Sequence, residues 1–186
     1  TSRSPKPMSH SPLCLRALQA SSWFTTNCST SLFQYYKPIL KLFKSRMYSM
    51  KTRHDVQALI FNEINGEKKV FLIKFFDPTK KHHTWRLVKG GVEEGETDEQ
   101  ALKREIQEEV ELKDVKIMEK VHNYEFDFKD THHLVSTYLV KGNVNEKPKL
   151  NWDGDREIVD YGWLTPDKAI KLLFWDNEKN AVKLLK

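Results

Sequence analysis

The feature that most constrains this chain is the segment from Gly90 to Leu112, GGVEEGETDEQALKREIQEEVEL. A glycine-rich turn opens the segment, and a strongly periodic stretch from Asp98 to about Val110 follows, which predicts a helix. Thr97 and Gln100 have the T-x-x-Q spacing of a capping box, so the helix is predicted to begin at Asp98. The sequence therefore predicts a tight turn that leads directly into a capped helix.

Three carboxylates fall on this helix at positions i, i+3 and i+4, namely Glu105, Glu108 and Glu109. They are predicted to share one face. The opposite face is predicted to be apolar, with Ala101, Leu102, Ile106 and Val110. Such carboxylates repel one another by about 1 kcal/mol per pair near a surface, unless a cation is bound. Mg²⁺ prefers oxygen ligands and bridges to phosphates, and Gly90 could add a backbone carbonyl. The pattern predicts a magnesium site.

The segment resembles the signature of the Nudix family, which is a Gly, five residues, a Glu, seven residues, and then Arg-Glu-aliphatic-x-Glu-Glu-x-Gly-aliphatic. The chain matches this signature with Gly90, Glu96, Arg104, Glu105, Ile106, Glu108, Glu109 and Leu112. Glu111 stands where the family has a glycine that ends the helix in a left-handed conformation. A residue with a side chain there predicts a cost of up to about 1 kcal/mol or a shifted helix end.

The resemblance implies an α/β fold, the Nudix-type α/β/α sandwich with a mixed sheet, and hydrolysis of a phosphoanhydride bond by a metal-activated water. It implies Mg²⁺ as cofactor, with Mn²⁺ as a substitute. Glu105, Glu108 and Glu109 would be metal ligands, and Glu108 or Glu109 would act on the attacking water. Arg104 would hold the carboxylates, and Glu96 would brace the loop against the helix. The alternative from another class is a Nudix domain that binds nucleotides without cutting them.

The lead-in WRLVKGGVEEGE indicates a substrate class. It resembles the W-x-x-P-K-G-x-x-E-x-G-E stretch of the diadenosine tetraphosphate hydrolase branch and its relatives that act on diphosphoinositol phosphates, although Val88 replaces the Pro. This resemblance makes bis(5′-nucleosyl) polyphosphates the first expectation. Three alternative substrates remain open, namely diphosphoinositol phosphates, ADP-ribose and capped RNA. Lys89 is predicted either to meet a phosphate or to be an ordinary solvated lysine at a strand end.

Aromatic and histidine residues elsewhere are weaker candidates. Tyr124 and Phe174 could stack on a base, although aromatic side chains are more often core residues. The pairs His82-His83 and His132-His133 are predicted to lie in loops or at the surface. Neighbours on a strand point to opposite faces, so neither pair suits a joint metal site.

The rest of residues 55–186 predicts one α/β domain. DVQALIFN and KKVFLIKFF read as strands joined by a hairpin at Asn65-Gly66, followed by a loop from Asp77 to Thr84. Further strands are predicted at WRLV, VKIMEKVHNYEF, HHLVSTYLVKG and EIVDYGWL, and two C-terminal helices at 166–173 and 177–185, the first capped by Thr165. This order predicts helices on both faces of a sheet.

Charge divides the chain at residue 54. Residues 1–54 hold nine basic and no acidic residues, whereas residues 55–186 hold 22 basic and 26 acidic ones. A mildly acidic body argues against a broad nucleic-acid footprint and leaves a capped RNA end as the one nucleic-acid candidate. Cys14 and Cys28 both lie in the extension, so the body offers no thiolate chemistry. No apolar run approaches the roughly 20 residues that span a bilayer, so no membrane association is predicted.

The irregular N-terminal extension, residues 1–54, has a composition typical of a mitochondrial or plastid targeting segment. The alternatives are a leader of no function, or upstream translation before a start at Met47 or Met50. Localisation is therefore predicted as mitochondrial or plastid if the segment is a transit peptide, and otherwise as cytoplasmic. The sequence does not fix the oligomeric state.

Overall fold

The structure is a computed structural model that describes residues 50–150, 152–153 and 156–185, with the backbone alone at 152–153 and 156–157. Residues 1–49 of the predicted targeting segment, with both cysteines, lie outside the described residues. Among the described helices, none combines the length and the apolar composition needed to span a bilayer.

Eight strands and three helices make up the described part of the chain. In chain order they are β1 (Lys51–Ile64), β2 (Glu67–Asp77), β3 (His82–Arg86), β4 (Val88–Gly91), α1 (Asp98–Val110), β5 (Val115–Phe128), β6 (Thr131–Gly142), β7 (Trp152–Asp153), β8 (Arg156–Leu164), α2 (Pro166–Leu172) and α3 (Asp176–Lys183). The first strand begins at Lys51 and so includes residues that the charge pattern assigned to the extension.

All eight strands belong to one mixed sheet with the order β5-β6-β1-β2-β8-β7, in which β3 pairs with β2 and β4 pairs with β1. The pairing of β1 with β6 is parallel, and the other pairings are antiparallel. Strand β1 is central, because its N-terminal half pairs with β4 and its C-terminal half with β2. This arrangement brings the glycine-rich strand β4 beside the start of β1.

Helices cover both faces of the sheet, which confirms the predicted sandwich. Side chains of β1 alternate between the faces, as expected for an extended strand. Val56, Ala58 and Ile60 pack with Leu102 and Ile106 of α1, whereas Leu59 lies in the second core. That second core also contains the buried residues Ala169, Leu173, Ala181, Val182 and Leu185 of the C-terminal segment.

Local sequence signals account for several element boundaries. The Asn65-Gly66 turn joins β1 to β2 with φ values of 52° and 77°, the left-handed conformation that these two residue types tolerate best, so the predicted hairpin is confirmed. Thr165 caps α2, and Pro166 occupies its first turn as predicted. The predicted loop from Asp77 to Thr84 is too long, because His82 to Thr84 pair with β2 as part of β3.

Candidate active site

The helix α1 begins where its capping box predicts. The Thr97 side chain accepts a hydrogen bond from the backbone N–H of Gln100, and the Gln100 side chain accepts one from the backbone N–H of Thr97. The two groups satisfy donors that the first turn of a helix leaves open. The predicted helix start is confirmed.

The end of α1 shows how the chain replaces the signature glycine. Glu111 adopts the left-handed conformation itself, with φ of 49° and ψ of 30°, and its backbone N–H donates to Gln107 O. Its carboxylate pairs with Lys149 Nζ at 2.8 Å. The helix ends at Val110, so the first predicted consequence of the substitution, a non-glycine in a strained conformation, is the one observed.

Arg104 forms hydrogen bonds with the loop, the strand β4 and the helix α1. Its Nε and Nη2 donate to Glu96 Oε1 and Oε2 at 2.8 and 2.9 Å, and Nη2 also donates to Gly91 O at 2.8 Å. The remaining nitrogen, Nη1, donates to Glu105 Oε1 at 2.8 Å and to Glu108 Oε2 at 3.2 Å. One planar guanidinium thus ties the loop, the strand β4 and two carboxylates of α1 together, a pattern to which arginine is suited.

The loop carboxylate Glu96 is held as an anion. Its hydrogen bonds from Arg104, together with one from the backbone N–H of Glu93, lower its pKa to about 2. The same pairing with Glu96 raises the pKa of Arg104 above its ordinary value. Glu96 therefore lies where the resemblance expects a brace between loop and helix.

Glu105 lies directly against the glycine strand. A methyl group built on Gly90 would overlap the Glu105 carboxylate, so only glycine leaves room for this approach. The Glu105 side chain is 13% exposed. Burial raises its pKa and the nearby Glu108 adds to this, while Arg104 opposes the shift. A carboxylate in this position is stabilised as an anion by an added positive charge.

The prediction that the three carboxylates share a face opposite the apolar residues is wrong for Glu105 and Glu109. Glu109 is 8% exposed and belongs to the buried side of α1. At about 100° per residue, positions 105 and 109 fall in the arc between Ala101 and Leu102, which face the sheet. Glu108 alone is exposed, at 58% of its side chain. Two of the three carboxylates therefore lie between the helix and the sheet.

The donor chemistry of this cluster fits a hard divalent cation. Glu105, Glu108 and Glu109 offer carboxylate oxygens, and the glycine strand brings backbone close to Glu105. Within the described part of the chain, no three His, Cys, Asp or Glu side chains already stand in a metal-binding arrangement. The positive charge between Glu105 and Glu108 comes from Arg104 Nη1.

Lys89 was predicted either to meet a phosphate or to be an ordinary solvated lysine, and the second alternative is wrong. Its side chain is 14% exposed, and Nζ lies 2.9 Å from Oδ2 of the fully buried Asp55. Successive residues of β4 point to opposite faces, so Lys89 lies on the face away from Glu105. Contact with a phosphate stays a prediction.

The two aromatic candidates differ in environment. Tyr124 is half-buried on β5 and belongs to a stacked row, with ring centroids 5.8 Å from His122 and 6.2 Å from Phe126. Burial and the nearby Glu178 raise the pKa of its hydroxyl. Phe174 is 50% exposed and makes an edge contact with Trp175, so the core interpretation is wrong for Phe174. It lies in the short connection between α2 and α3.

The histidine prediction fails at His133. This side chain is buried, and its Nδ1 lies 2.8 Å from Asp55 Oδ2. The parallel register of β6 against β1 places His133 opposite Arg53, next to Asp55, which a local sequence pattern does not reveal. His132 behaves as predicted, since it lies on the other face and pairs with the exposed Asp127.

A set of buried polar residues on the face away from α1 was not predicted. Gln57 accepts a hydrogen bond from Thr137 and donates one to Glu178 Oε1. The same oxygen also accepts hydrogen bonds from Nε and Nη2 of Arg86. Asp55 belongs to the same face of β1. The signal was present in DVQALIFN, where Asp and Gln interrupt an apolar strand at alternate positions on one face.

Solved structures of similar fold belong to several hydrolases. The chain resembles an Ap4A hydrolase from C. elegans with a TM-score of 0.62 and 22% identity, over 72% of this chain and 94% of that one. It resembles the dihydroneopterin triphosphate pyrophosphohydrolase of E. coli with a TM-score of 0.58 and 20% identity, over 73% of this chain and 95% of that one. At these identities the likeness establishes the fold.

Sequence relatives match over shorter stretches. An RNA pyrophosphohydrolase from Vibrio atlanticus is 46% identical over 56 residues, which are 29% of this chain and 30% of the relative. Another from Photobacterium profundum is 55% identical over 38 residues, or 19% of this chain and 22% of the relative. The chain therefore covers less than a third of the length of either relative.

The family model described as the NUDIX domain matches residues 53–185. The chain also carries the signature residues on α1 and the sandwich fold. The chain therefore belongs to the Nudix family of hydrolases.

Proposed function

We propose that this Nudix hydrolase is a magnesium-dependent enzyme that cuts a phosphoanhydride bond in a nucleoside-diphosphate-linked substrate, with bis(5′-nucleosyl) polyphosphates as the preferred class. The observation that carries the proposal is the seating of the Glu105 carboxylate against Gly90, with Arg104 joining it to Glu96 and Glu108. This arrangement gathers carboxylate oxygens beside backbone that only glycine can provide.

Glu105, Glu108 and Glu109 would hold the cation, with the Gly90 carbonyl as a further ligand. When bound, Mg²⁺ supplies charge neutralisation for the phosphates and lowers the pKa of a coordinated water. Arg104 fixes Glu105 by a charge-assisted hydrogen bond and fixes the loop through Glu96. Glu108 is the exposed carboxylate of the set and so is the better placed of the two candidates to accept a proton from an attacking water.

The substrate class rests on the lead-in from Trp85 to Glu96, which resembles the diadenosine tetraphosphate hydrolase branch. A second candidate is an RNA-linked pyrophosphate, because the local identity of 46% over 56 residues is to an RNA pyrophosphohydrolase. The acidic balance of residues 55–186, with 22 basic and 26 acidic groups, disfavours a long RNA footprint.

The test incubates the full chain with Mg²⁺, and separately with Mn²⁺, and one substrate at a time. The panel contains diadenosine tetraphosphate, ADP-ribose, a diphosphoinositol phosphate, nucleoside triphosphates, capped RNA and 5′-triphosphorylated RNA, with products separated by chromatography. Glu105→Gln and Glu108→Gln remove one candidate ligand each. Glu99→Gln is the matched control, because Glu99 lies on the same helix, is 62% exposed and pairs with the exposed Lys103.

Release of ATP and AMP from diadenosine tetraphosphate, lost in Glu105→Gln and Glu108→Gln and kept in Glu99→Gln, is the expected result. Preferred cleavage of an RNA end would move the assignment to the second candidate. A folded protein that binds Mg²⁺ but cuts no member of the panel would overturn the proposal in favour of a nucleotide-binding module.

A further inference from the structure

Asp55 is a fully buried carboxylate with three basic partners. Oδ2 lies 2.9 Å from Lys89 Nζ and 2.8 Å from His133 Nδ1, and Oδ1 lies 2.8 Å from Arg53 Nε. Burial by itself raises the pKa of Asp55, but Lys89, His133 and Arg53 outweigh it, and the pKa is lowered overall. Asp55 is therefore an anion that organises the three groups around it.

The cluster holds more positive than negative charge. Lys89 already matches the single charge of Asp55, and the guanidinium of Arg53 adds a second positive charge. Arg53 lies closest to Asp55 through Nε, and no hydrogen bond joins its terminal nitrogens to a described residue. The Arg53 side chain is 53% exposed. Oδ1 of Asp55 accepts no hydrogen bond in the described part of the chain, so Asp55 attracts Arg53 through charge alone. A guanidinium that is paired with a carboxylate at Nε and has its terminal nitrogens open is suited to receive an anion.

The position of Arg53 links this cluster to the candidate active site. A methyl group built on Gly91 would overlap the Arg53 guanidinium, just as one on Gly90 would overlap Glu105. The two adjacent glycines thus lie on opposite faces of β4. Gly90 leaves room for the Glu105 carboxylate, and Gly91 leaves room for the Arg53 guanidinium. Arg53 is near enough to Glu105 to oppose the rise that burial causes in the pKa of that carboxyl.

We propose that Arg53 binds a phosphate group of the substrate through its terminal nitrogens, and that Asp55 is the positioning residue that holds Arg53 across Gly91. The ligand class is the phosphoryl oxygens of a polyphosphate chain, which the planar guanidinium can meet with two parallel hydrogen bonds. This inference rests on the proposed function for its biological ligand, but it can be tested without turnover.

The first test measures binding of inorganic pyrophosphate to the full chain by titration calorimetry, with EDTA present so that no divalent cation contributes. Arg53→Gln is expected to weaken binding at least about 10-fold, because it removes charge-assisted hydrogen bonds, and Arg53→Lys to weaken it less. Lys80→Gln is the matched control, since Lys80 is 79% exposed and pairs with Asp77 in the turn between β2 and β3. Equal affinities of Arg53→Gln and Lys80→Gln would overturn the proposal.

The role of Asp55 is tested by a double-mutant cycle on the same pyrophosphate affinity. Asp55→Asn is expected to weaken binding alone and to add little in an Arg53→Gln background, because it acts through Arg53. Fully additive losses would indicate a general structural effect and overturn the positioning role.

Gly91→Ala keeps the test decisive if Asp55→Asn does not fold. The new methyl group displaces the guanidinium without changing any charge, so pyrophosphate binding should weaken. Unchanged binding in Gly91→Ala would contradict the assigned position of Arg53. If the proposed hydrolysis fails while pyrophosphate binding depends on Arg53, the phosphate site stands and only the reaction is wrong.

Discussion

Arg104 donates two parallel hydrogen bonds to Glu96, from Nε to Oε1 at 2.8 Å and from Nη2 to Oε2 at 2.9 Å. The pair spans from the helix to the loop that precedes it. Because the third nitrogen of the same guanidinium contacts Glu105 and Glu108, the loop and the candidate metal ligands share one rigid group. The geometry of the site therefore depends on the shape of Arg104 as well as on its charge.

Arg104→Lys should lower kcat about 10- to 100-fold, the usual loss when a residue that orients metal ligands is changed. An ammonium keeps the charge but cannot contact Glu96, Glu105 and Gly91 O together. Steady-state kinetics with Mg²⁺ measure the effect. Lys103→Gln, which alters a neighbouring exposed pair with Glu99, should leave kcat unchanged, and an equal loss in both variants would contradict the role of Arg104.

Gly90→Ala should weaken Mn²⁺ binding about 10- to 100-fold, because the added methyl group displaces the Glu105 carboxylate from the strand. Electron paramagnetic resonance of free and bound Mn²⁺ measures the affinity. Gly162→Ala is the control, since a methyl group there meets only ordinary contacts at 3.7 Å and beyond. Unaltered Mn²⁺ affinity in Gly90→Ala would show that Glu105 is not a ligand at this position.

Glu111→Gly should stabilise the protein by about 0.5 to 1 kcal/mol, because glycine adopts the observed φ of 49° without steric cost. The substitution also removes the ion pair with Lys149, which contributes little because the Lys149 side chain is 73% exposed. Urea denaturation measures the free energy of unfolding. Glu111→Ala removes the same ion pair but keeps a Cβ, so it should bring no gain. A gain of similar size in both variants would assign the effect to the charge instead of the backbone.

The contribution of Glu178 to the free energy of unfolding should fall as the pH rises. Burial raises its pKa above the ordinary 4.5, although Arg86 opposes the shift. Between 4.5 and that raised pKa the folded protein binds more protons than the unfolded chain, so the free energy of unfolding decreases with increasing pH. The Glu178→Gln variant lacks this ionisation. Urea denaturation at pH 4 and pH 8 should therefore show the variant gaining stability relative to the wild type. A difference that is constant with pH would contradict the raised pKa.

Local sequence determined the elements whose signals are local. The hairpin at Asn65-Gly66, the start of α1 at Thr97 and the N-terminus of α2 at Thr165 all depend on residues within one turn of each other, and all three were predicted correctly. The resemblance of one turn and one helix to the Nudix signature likewise implied that Arg104 holds the carboxylates of the helix and that Glu96 braces the loop. Contacts between residues close in sequence depend on backbone geometry that is nearly the same in every fold.

Long-range pairing decided the rest. Asp55 is brought to His133 by the parallel register of β1 with β6, and to Lys89 by the antiparallel register with β4, and neither register can be read from a local pattern. The burial of Glu109 follows from the side on which α1 meets the sheet. The sequence by itself determined which residues of the signature helix are candidates for the chemistry. The tertiary structure decided which charges lie beside them, because strand register and helix packing are set by the burial of the whole core.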